Sequence, residues 1–181
     1  MPNTRQDSAT DEALSWRTRP ETGADRAAVR AVNAAAFPTG AEADLVDALR
    51  EDPAAWLTGL SYVAEAPGGR VVAHALITRC RVGEAPAAAL APVAVDPAYQ
   101  RRGAGQAVVR AVLEAARRGG EALVLVLGHP EYYPMFGFVP ASRYGIMASF
   151  AVPDEAMMAL VLGGSAPVPA GTIHYPPAFG V

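Results

Sequence analysis

Apolar and polar residues follow two different periods along this chain, and each period predicts one kind of element. In residues 22–37 and 41–52, apolar residues recur every three or four positions, which is typical of amphipathic helices packed on one face. Pro38 ends the first of these helices, and acidic residues crowd the first turn of the second. A third helix is predicted after the sequence QRRGAG, and its apolar face comprises Ala104, Val108, Val112 and Ala115.

Segments rich in β-branched and other apolar residues predict strands before, between and after these helices. The predicted strands are residues 14–20, 60–66, 71–82, 88–96, 121–128, 155–163 and 171–175. The second and third are joined by the turn PGGR and form a hairpin, whereas 121–128 is wholly apolar around its centre, as in the middle of a sheet. The segment PEYYPMFGF predicts a short aromatic helix.

The order of these elements predicts a mixed α/β fold, because strands lie early and late in the chain with a strand–helix–strand unit between them. The sequence shows no internal repeat and no interdomain linker. Residues 14–181 are therefore expected to form one domain, and the polar residues 1–13 a flexible N-terminal arm.

Composition and charge exclude several function classes. The net charge of −3 and the isoelectric point near 5.6 argue against a nucleic-acid platform. Lysine is absent, which excludes a P-loop lysine and a Schiff base. The longest apolar run, 85–95, is interrupted by two prolines and is shorter than the roughly 20 residues of a spanning helix. With a single cysteine, Cys80, the chain fits a reducing compartment, so we expect a cytoplasmic protein without membrane or nucleic-acid partners.

The basic turn between the strand at 88–96 and the third helix is the strongest chemical signal. Gly103 and Gly105 allow close approach of a ligand to the backbone, Arg101 and Arg102 add positive charge, and the helix N-terminus presents unpaired N–H groups. These features predict a phosphate site. The P-loop pattern is excluded and the dinucleotide pattern fits poorly, because Val108 stands where its third glycine belongs. A glycine turn that only joins strand to helix is the alternative.

Three segments together resemble the GNAT acetyltransferase superfamily: VAVDPAYQRRGAG, YYPMFGFVPA and the opening WRTRPETGADRAAVRAVNAAAF. QRRGAG is similar to the family's loop Q/R-x-x-G-x-G/A, which holds the pyrophosphate of acetyl-coenzyme A (acetyl-CoA). The resemblance implies a mostly antiparallel central sheet of about seven strands, with a V-shaped splay between strands 4 and 5 and about four flanking helices. It also implies acetyl-CoA as the co-substrate and an amine as the acceptor.

The resemblance also implies which residues form the site. Pantetheine would lie along the splayed strand, and the pyrophosphate in the loop. The implied acetyl-CoA-binding residues are Val93, Ala94, Val95, Arg101, Arg102, Gly103, Ala104, Gly105 and Gln106. Tyr133 has the position of the tyrosine in the family's Y-x-x-x-G-F element and is expected to protonate the leaving thiolate; its neighbour Tyr132 does not have that spacing. Both tyrosines could instead be packing residues.

The general base stays open between His129, Glu65, Glu84 and water. His129 follows the strand at 121–128, where the splay should open. His74 and His174 lie within strand patterns and are interpreted as structural, and no residue cluster has metal-ligand spacing, so no metal is expected. The acidic residues of the second helix are interpreted as a solvated face. They are Glu42, Asp44, Asp47, Glu51 and Asp52.

Two functions are compatible with these features. One is an N-acetyltransferase, and the other is a non-catalytic acyl-CoA-binding or sensor module on the same fold. The residues expected to select the acceptor are the second helix, a loop at 85–91 and the C-terminal strands, but they do not identify it. We expect a monomer or a homodimer, since an exposed sheet edge could pair with a second copy.

Overall fold

The computed structural model describes residues 15–181, so the predicted arm at 1–13 lies outside the described residues. The helices are α1 (Arg26–Ala36), α2 (Ala41–Arg50) and α3 (Ala104–Arg118). The strands are β1 (Arg17–Pro20), β2 (Trp56–Glu65), β3 (Val71–Val82), β4 (Ala85–Val95), β5 (Leu123–Leu127), β6 (Val139–Pro140), β7 (Ile146–Met147), β8 (Met157–Val161) and β9 (Gly171–His174).

The strands form one mixed sheet with the order β1-β2-β3-β4-β5-β8-β6, and β9 pairs with β3 and with the short β7. Along this order, all neighbours are antiparallel except β4 and β5, which are parallel and are connected through α3. The predicted mixed α/β class and mostly antiparallel sheet are confirmed. The two strands that the sequence did not predict, β6 and β7, have two residues each.

Helices cover both faces of the sheet, because successive residues of a strand point to opposite sides. Tyr62, Ala64 and Ile77 pack with the apolar face of α3, whereas Val63 and Leu76 pack with α1 and α2 on the other face. The α3 face is buried at Val108, Val112 and Ala116, which matches the predicted amphipathic period. This packing holds the N-terminus of α3 beside the end of β4.

The splay predicted between strands 4 and 5 is present between β4 and β5. These strands pair only at Ala88 with Val124 and at Ala89 with Leu125. Beyond this point β4 continues to Val95 with β3 as its remaining partner, and Pro92 has no N–H group to offer a second neighbour. The gap between the two strands is where the cavities described below begin.

Two local predictions need correction. The aromatic segment forms only a 3-10 turn, Tyr133–Phe136, so the described residues contain three α-helices instead of about four. Pro134 removes an N–H group, and Gly137, with φ of 98°, ends the turn at once. Residues 85–91 are not a loop but the first part of β4, because residues 85–90 pair with residues 77–82 of β3.

Candidate active site

The gap between β4 and β5 opens into a cavity of about 790 Å³, here called the loop cavity. One wall is the basic turn, and the opposite wall is the 3-10 turn that carries the aromatic residues. Its lining residues are Ala36, Phe37, Val93, Val95, Gln100, Arg101, Gly103, Gly105, Gln106, His129, Tyr132, Tyr133 and Met135. The volume lies within the range of small-molecule and cofactor sites.

A second cavity of about 480 Å³, here called the aromatic cavity, adjoins the loop cavity at the same gap. Segments far apart in sequence build it: Phe37 just after α1, the helix α2, the facing parts of β4 and β5, and the C-terminal region. Its lining residues are Phe37, Glu42, Leu45, Ala89, Leu90, Ala91, Pro92, Val93, Leu125, Leu127, Gly128, His129, Tyr133, Phe150, Tyr175, Phe179 and Val181.

The two cavities share four lining residues: Phe37, Val93, His129 and Tyr133. A ligand in the loop cavity and a ligand in the aromatic cavity would therefore meet at these side chains. The arrangement suits a reaction between two substrates bound in adjoining cavities. We call these four residues the junction.

The basic turn has a backbone that favours an anion. Arg101 has φ of 58° and Gly103 has φ of 88°, so the chain enters the left-handed region twice within three residues. Gly103 is the N-cap of α3, and the N–H groups of the first helical turn have no partner within the helix. The indole N–H of Trp16 donates to the Arg102 carbonyl at 2.8 Å and ties the turn to the start of the chain.

The other residues predicted to bind acetyl-CoA divide by strand alternation. Val93 and Val95 are half-buried and line the loop cavity, whereas Ala94 points to the opposite face and is buried against the α1 side. Arg102 and Ala104 lie in the same turn, but they are not among the residues that line the cavity. Gln100, which the sequence analysis did not select, lines it and donates to the Val95 carbonyl at 3.2 Å.

Tyr133 is held tightly at the junction. Its side chain is buried, and its ring contacts Phe138 edge to face with centroids 5.8 Å apart. A Cβ atom at Gly128 would lie 2.2 Å from a ring carbon of Tyr133, so only glycine leaves room for the ring there. Burial raises the pKa of the Tyr133 hydroxyl to about 12, with a smaller effect from neighbouring Tyr132. The hydroxyl therefore stays protonated at neutral pH.

Tyr132 supports the loop side of the junction. Its ring stacks edge to face on Tyr133 with centroids 5.1 Å apart. Its hydroxyl lies 3.1 Å from the position of a Cβ atom at Gly105, so a side chain at residue 105 would require Tyr132 to move slightly. Burial raises the pKa of this hydroxyl as well.

The three side chains considered as general base have very different surroundings. His129 lines both cavities, and its backbone carbonyl also accepts hydrogen bonds from the N–H groups of Tyr132 and Tyr133. Glu65 is buried and accepts a hydrogen bond from Arg19 at 2.8 Å. Glu84 is exposed and pairs with Arg81 at 3.1 Å. Neither glutamate lines the junction or either cavity.

Glu42 is the functional candidate that the sequence analysis missed. Asp44 and Asp47 of the same helix pair with Arg30 at the surface, as expected of a solvated face. Glu42 instead lines the aromatic cavity, and its Oε2 atom is buried without a hydrogen-bond partner among residues 15–181. Its spacing from Leu45, three residues, was the available signal, because that spacing places both on one helix face.

Residues 15–181 offer neither a metal site nor a membrane-spanning helix. No group of three or more His, Cys, Asp or Glu side chains has a geometry suited to a metal ion. Within the same residues, no helix has the length and apolar character needed to cross a membrane.

Comparisons with known proteins agree with this geometry. A sequence profile of the Acetyltransferase (GNAT) family matches residues 26–138. Over 136 residues, 72% of this chain and 74% of the relative, the chain is 40% identical to the uncharacterized N-acetyltransferase YjhQ of Escherichia coli K12. The crystal structure of E. coli YhbS in complex with CoA has a TM-score of 0.85 and 28% identity, covering 95% of this chain and 96% of that one. A GNAT family acetyltransferase from Brucella melitensis in complex with acetyl-CoA has a TM-score of 0.74 and 31% identity, covering 92% and 99%.

Proposed function

The chain belongs to the GNAT acetyltransferase family, and from this premise we propose that it transfers the acetyl group of acetyl-CoA to the amine of a second substrate. The observation that supports this most directly is the junction, where a cavity beside a phosphate-type turn meets a second cavity at Tyr133. Direct attack of the amine on the thioester requires such a meeting point for two substrates. The crystal structures of two relatives contain CoA and acetyl-CoA, respectively.

We propose that acetyl-CoA occupies the loop cavity. The pyrophosphate would be held by the N–H groups of residues 101–106, where two left-handed residues and the α3 N-terminus converge. Arg101 and Arg102 would add positive charge beside it. The pantetheine arm would lie along Val93, Ala94 and Val95, whose strand edge is not paired with β5. Backbone contacts dominate this arrangement, so bland side chains such as Ala104 are compatible with it.

The transfer needs a neutral amine and a polarised carbonyl. An alkyl amine with a pKa near 10.4 is protonated at pH 7, and removing its proton costs roughly 4 to 5 kcal/mol. A proton acceptor near the junction must therefore take part. The developing oxyanion would be stabilised by a backbone N–H of the splayed part of β4, which has free hydrogen-bonding capacity on its β5 side.

We propose that Tyr133 assists departure of the CoA thiolate. By analogy with cysteine the thiolate has a pKa of about 8.5, so full proton transfer from a tyrosine with a pKa of about 12 is uphill by about 5 kcal/mol. Tyr133 would therefore donate a hydrogen bond to the sulfur as the C–S bond breaks. The proton that completes the thiol comes from the acetylated nitrogen, which is strongly acidic before it becomes a neutral amide, and the hydroxyl can relay it.

The first experiment is a calorimetric titration of the purified protein with acetyl-CoA, with ATP and NAD as controls. We expect acetyl-CoA alone to bind. Failure of a folded sample to bind it would contradict the proposal. If acetyl-CoA binds, thiol release is then measured with a panel of amines. Binding without thiol release for any amine would instead favour the non-catalytic acyl-CoA-binding module.

A further inference from the structure

The aromatic cavity is built for a cation attached to an apolar body. Aromatic rings form much of its wall, and the Tyr175 ring contacts Phe179 and Phe150 with centroid distances of 5.1 and 6.3 Å. Aromatic faces attract ammonium groups and also pack well against apolar groups. A volume of about 480 Å³ accommodates a small molecule and not a folded protein surface.

The charged side chains of the cavity wall also restrict which ligands can bind. Among residues 15–181, Glu42 is the only carboxylate side chain that lines the cavity and no arginine lines it, and the chain has no lysine. A buried carboxylate oxygen without a hydrogen-bond partner is unfavourable, and an ammonium group would satisfy it. An amino acid would bring a second carboxylate, for which the described part of the wall offers no guanidinium partner. A polyamine would bring extra positive charges, for which the described side chains of the wall offer no further carboxylate.

We propose that the acceptor is a small primary amine with one positive charge on an aromatic or similarly apolar body, and that Glu42 binds its ammonium group and takes its proton. This inference rests on the proposed acetyltransferase function. It assigns the proton acceptor to Glu42 and not to His129. Glu42 lines the aromatic cavity and not the loop cavity, so a nitrogen bound beside it and a thioester in the loop cavity would meet at the junction.

The physical reason is that the apolar cavity disfavours both charges of the ion pair. Proton transfer from the bound ammonium group to Glu42 removes both charges and leaves a neutral amine. The neutral amine then attacks the carbonyl carbon, a C–N bond forms, and the C–S bond breaks. Of the three ammonium protons, one goes to Glu42 and later to solvent, one goes to the departing sulfur, and one stays on the amide.

The test compares wild type with Glu42→Gln, using Asp44→Asn as the matched control. Asp44 is on the same helix but pairs with Arg30 at the surface, so its variant changes the charge without touching the cavity. The acceptors are 2-phenylethylamine, phenylalanine, spermidine and phenylhydrazine, whose terminal nitrogen is mostly neutral at pH 7. Circular dichroism and acetyl-CoA titration establish that each variant folds and binds the co-substrate.

We expect wild type to prefer 2-phenylethylamine over phenylalanine and spermidine. In Glu42→Gln, kcat/KM for 2-phenylethylamine should fall by about 10²-fold, the typical effect of a general base. The rate with phenylhydrazine should fall much less, because that amine has no proton to give up before attack. A purely structural role of Glu42 would reduce both rates equally. Asp44→Asn should leave both rates unchanged.

Several results would overturn the inference without affecting the proposed function. They are a preference for phenylalanine or spermidine, an equal loss with both amines in Glu42→Gln, and a selective loss in His129→Gln that Glu42→Gln does not show. Acetyl-CoA binding without transfer to any of these amines would also overturn it. Absence of acetyl-CoA binding in wild type would instead remove the proposed function itself.

Discussion

At the scale of single residues, the junction depends on how closely Tyr133 is packed. The ring lies against Phe138 and over Gly128, so the position of its hydroxyl is set by neighbours that have no chemistry of their own. If Tyr133 only fills space, loss of its hydroxyl should leave kcat unchanged. If its hydroxyl stabilises the leaving thiolate, kcat should fall.

The first prediction concerns Tyr133→Phe. We expect kcat to fall about 10- to 100-fold, which corresponds to one lost hydrogen bond to a developing charge, while acetyl-CoA affinity stays nearly unchanged. Tyr144→Phe is the matched control, because Tyr144 packs in a different part of the core. Steady-state kinetics and calorimetry provide the two readouts. An equal loss of affinity and turnover would show that Tyr133 is structural.

The second prediction concerns Gly128→Ala. The added methyl group would overlap the Tyr133 ring at 2.2 Å, so the ring must move and its hydroxyl leaves the junction. We expect kcat to fall by a similar factor. In a Tyr133→Phe background the same substitution should have little further effect on kcat, because the hydroxyl is already absent. Gly23→Ala is the control, since a Cβ atom there meets no other atom within 4 Å. Additive losses in the double variant would contradict this account.

At the scale of elements, the strand–turn–helix unit of β4 and α3 carries the proposed phosphate site. The helix supplies unpaired N–H groups, and the turn supplies the two left-handed residues that direct further N–H groups to the same side. Because the helix is packed against β2 and β3, this geometry exists before any ligand binds. Preorganisation of this kind lowers the cost of binding.

The third prediction separates charge from backbone strain at Gly103. Both Gly103→Ala and Gly103→Glu place a side chain at φ of 88°, which costs about 1–3 kcal/mol of stability in each case. Only the glutamate adds negative charge beside the proposed pyrophosphate. We therefore expect acetyl-CoA binding to be weakened in Gly103→Ala and undetectable in Gly103→Glu, measured by calorimetry on samples that are folded by circular dichroism. Equal affinity of the two variants, or wild-type affinity in Gly103→Glu, would contradict the placement.

At the scale of the whole molecule, a buried polar network joins both N-terminal helices to the sheet. His74 of β3 is fully buried; its ring nitrogens lie 2.9 Å from the Ser61 hydroxyl and 3.0 Å from the Asn33 amide. Glu21 pairs with Arg50 at 2.6 Å and accepts a hydrogen bond from Ser61. Arg50 compensates the charge of Glu21, so the carboxylate does not hold a proton on His74. Burial, with a smaller effect from Arg50, lowers the pKa of His74 to about 3.

The fourth prediction is a loss of stability in mild acid. The folded-state pKa of His74 lies below its unfolded value of about 6.5, so the unfolded chain binds more protons between these values. The free energy of unfolding should therefore fall by about 2 kcal/mol between pH 7.5 and 5.0. Urea denaturation at the two pH values measures it. His74→Gln should be less stable overall but should lack this pH dependence. A pH-independent wild type would contradict the assignment.

The amino-acid sequence by itself determined the local features of this protein. The 3.6-residue period predicted α1, α2 and α3, because burial of one helix face depends on nearby residues. The turn before α3 was predictable for the same reason, since glycines, arginines and a helix start act within a few residues of each other. The short helix predicted from the aromatic segment is present only as the 3-10 helix Tyr133–Phe136, which ends at Gly137.

Only the tertiary structure decided which side chains meet. The gap exists because β4 pairs with β5 at just two positions. The rest of the wall of the aromatic cavity comes from Phe37, α2 and the C-terminal region. Arg19 forms an ion pair with Glu65. Arg30 pairs with Asp44 and Asp47, whereas Glu42 of the same helix lines the aromatic cavity. These contacts join residues 14 to 46 positions apart in sequence, and a local pattern of polar and apolar positions contains no information about them. A carboxylate on a solvated face and one in a cavity therefore look alike in sequence, and only their three-dimensional neighbours separate them.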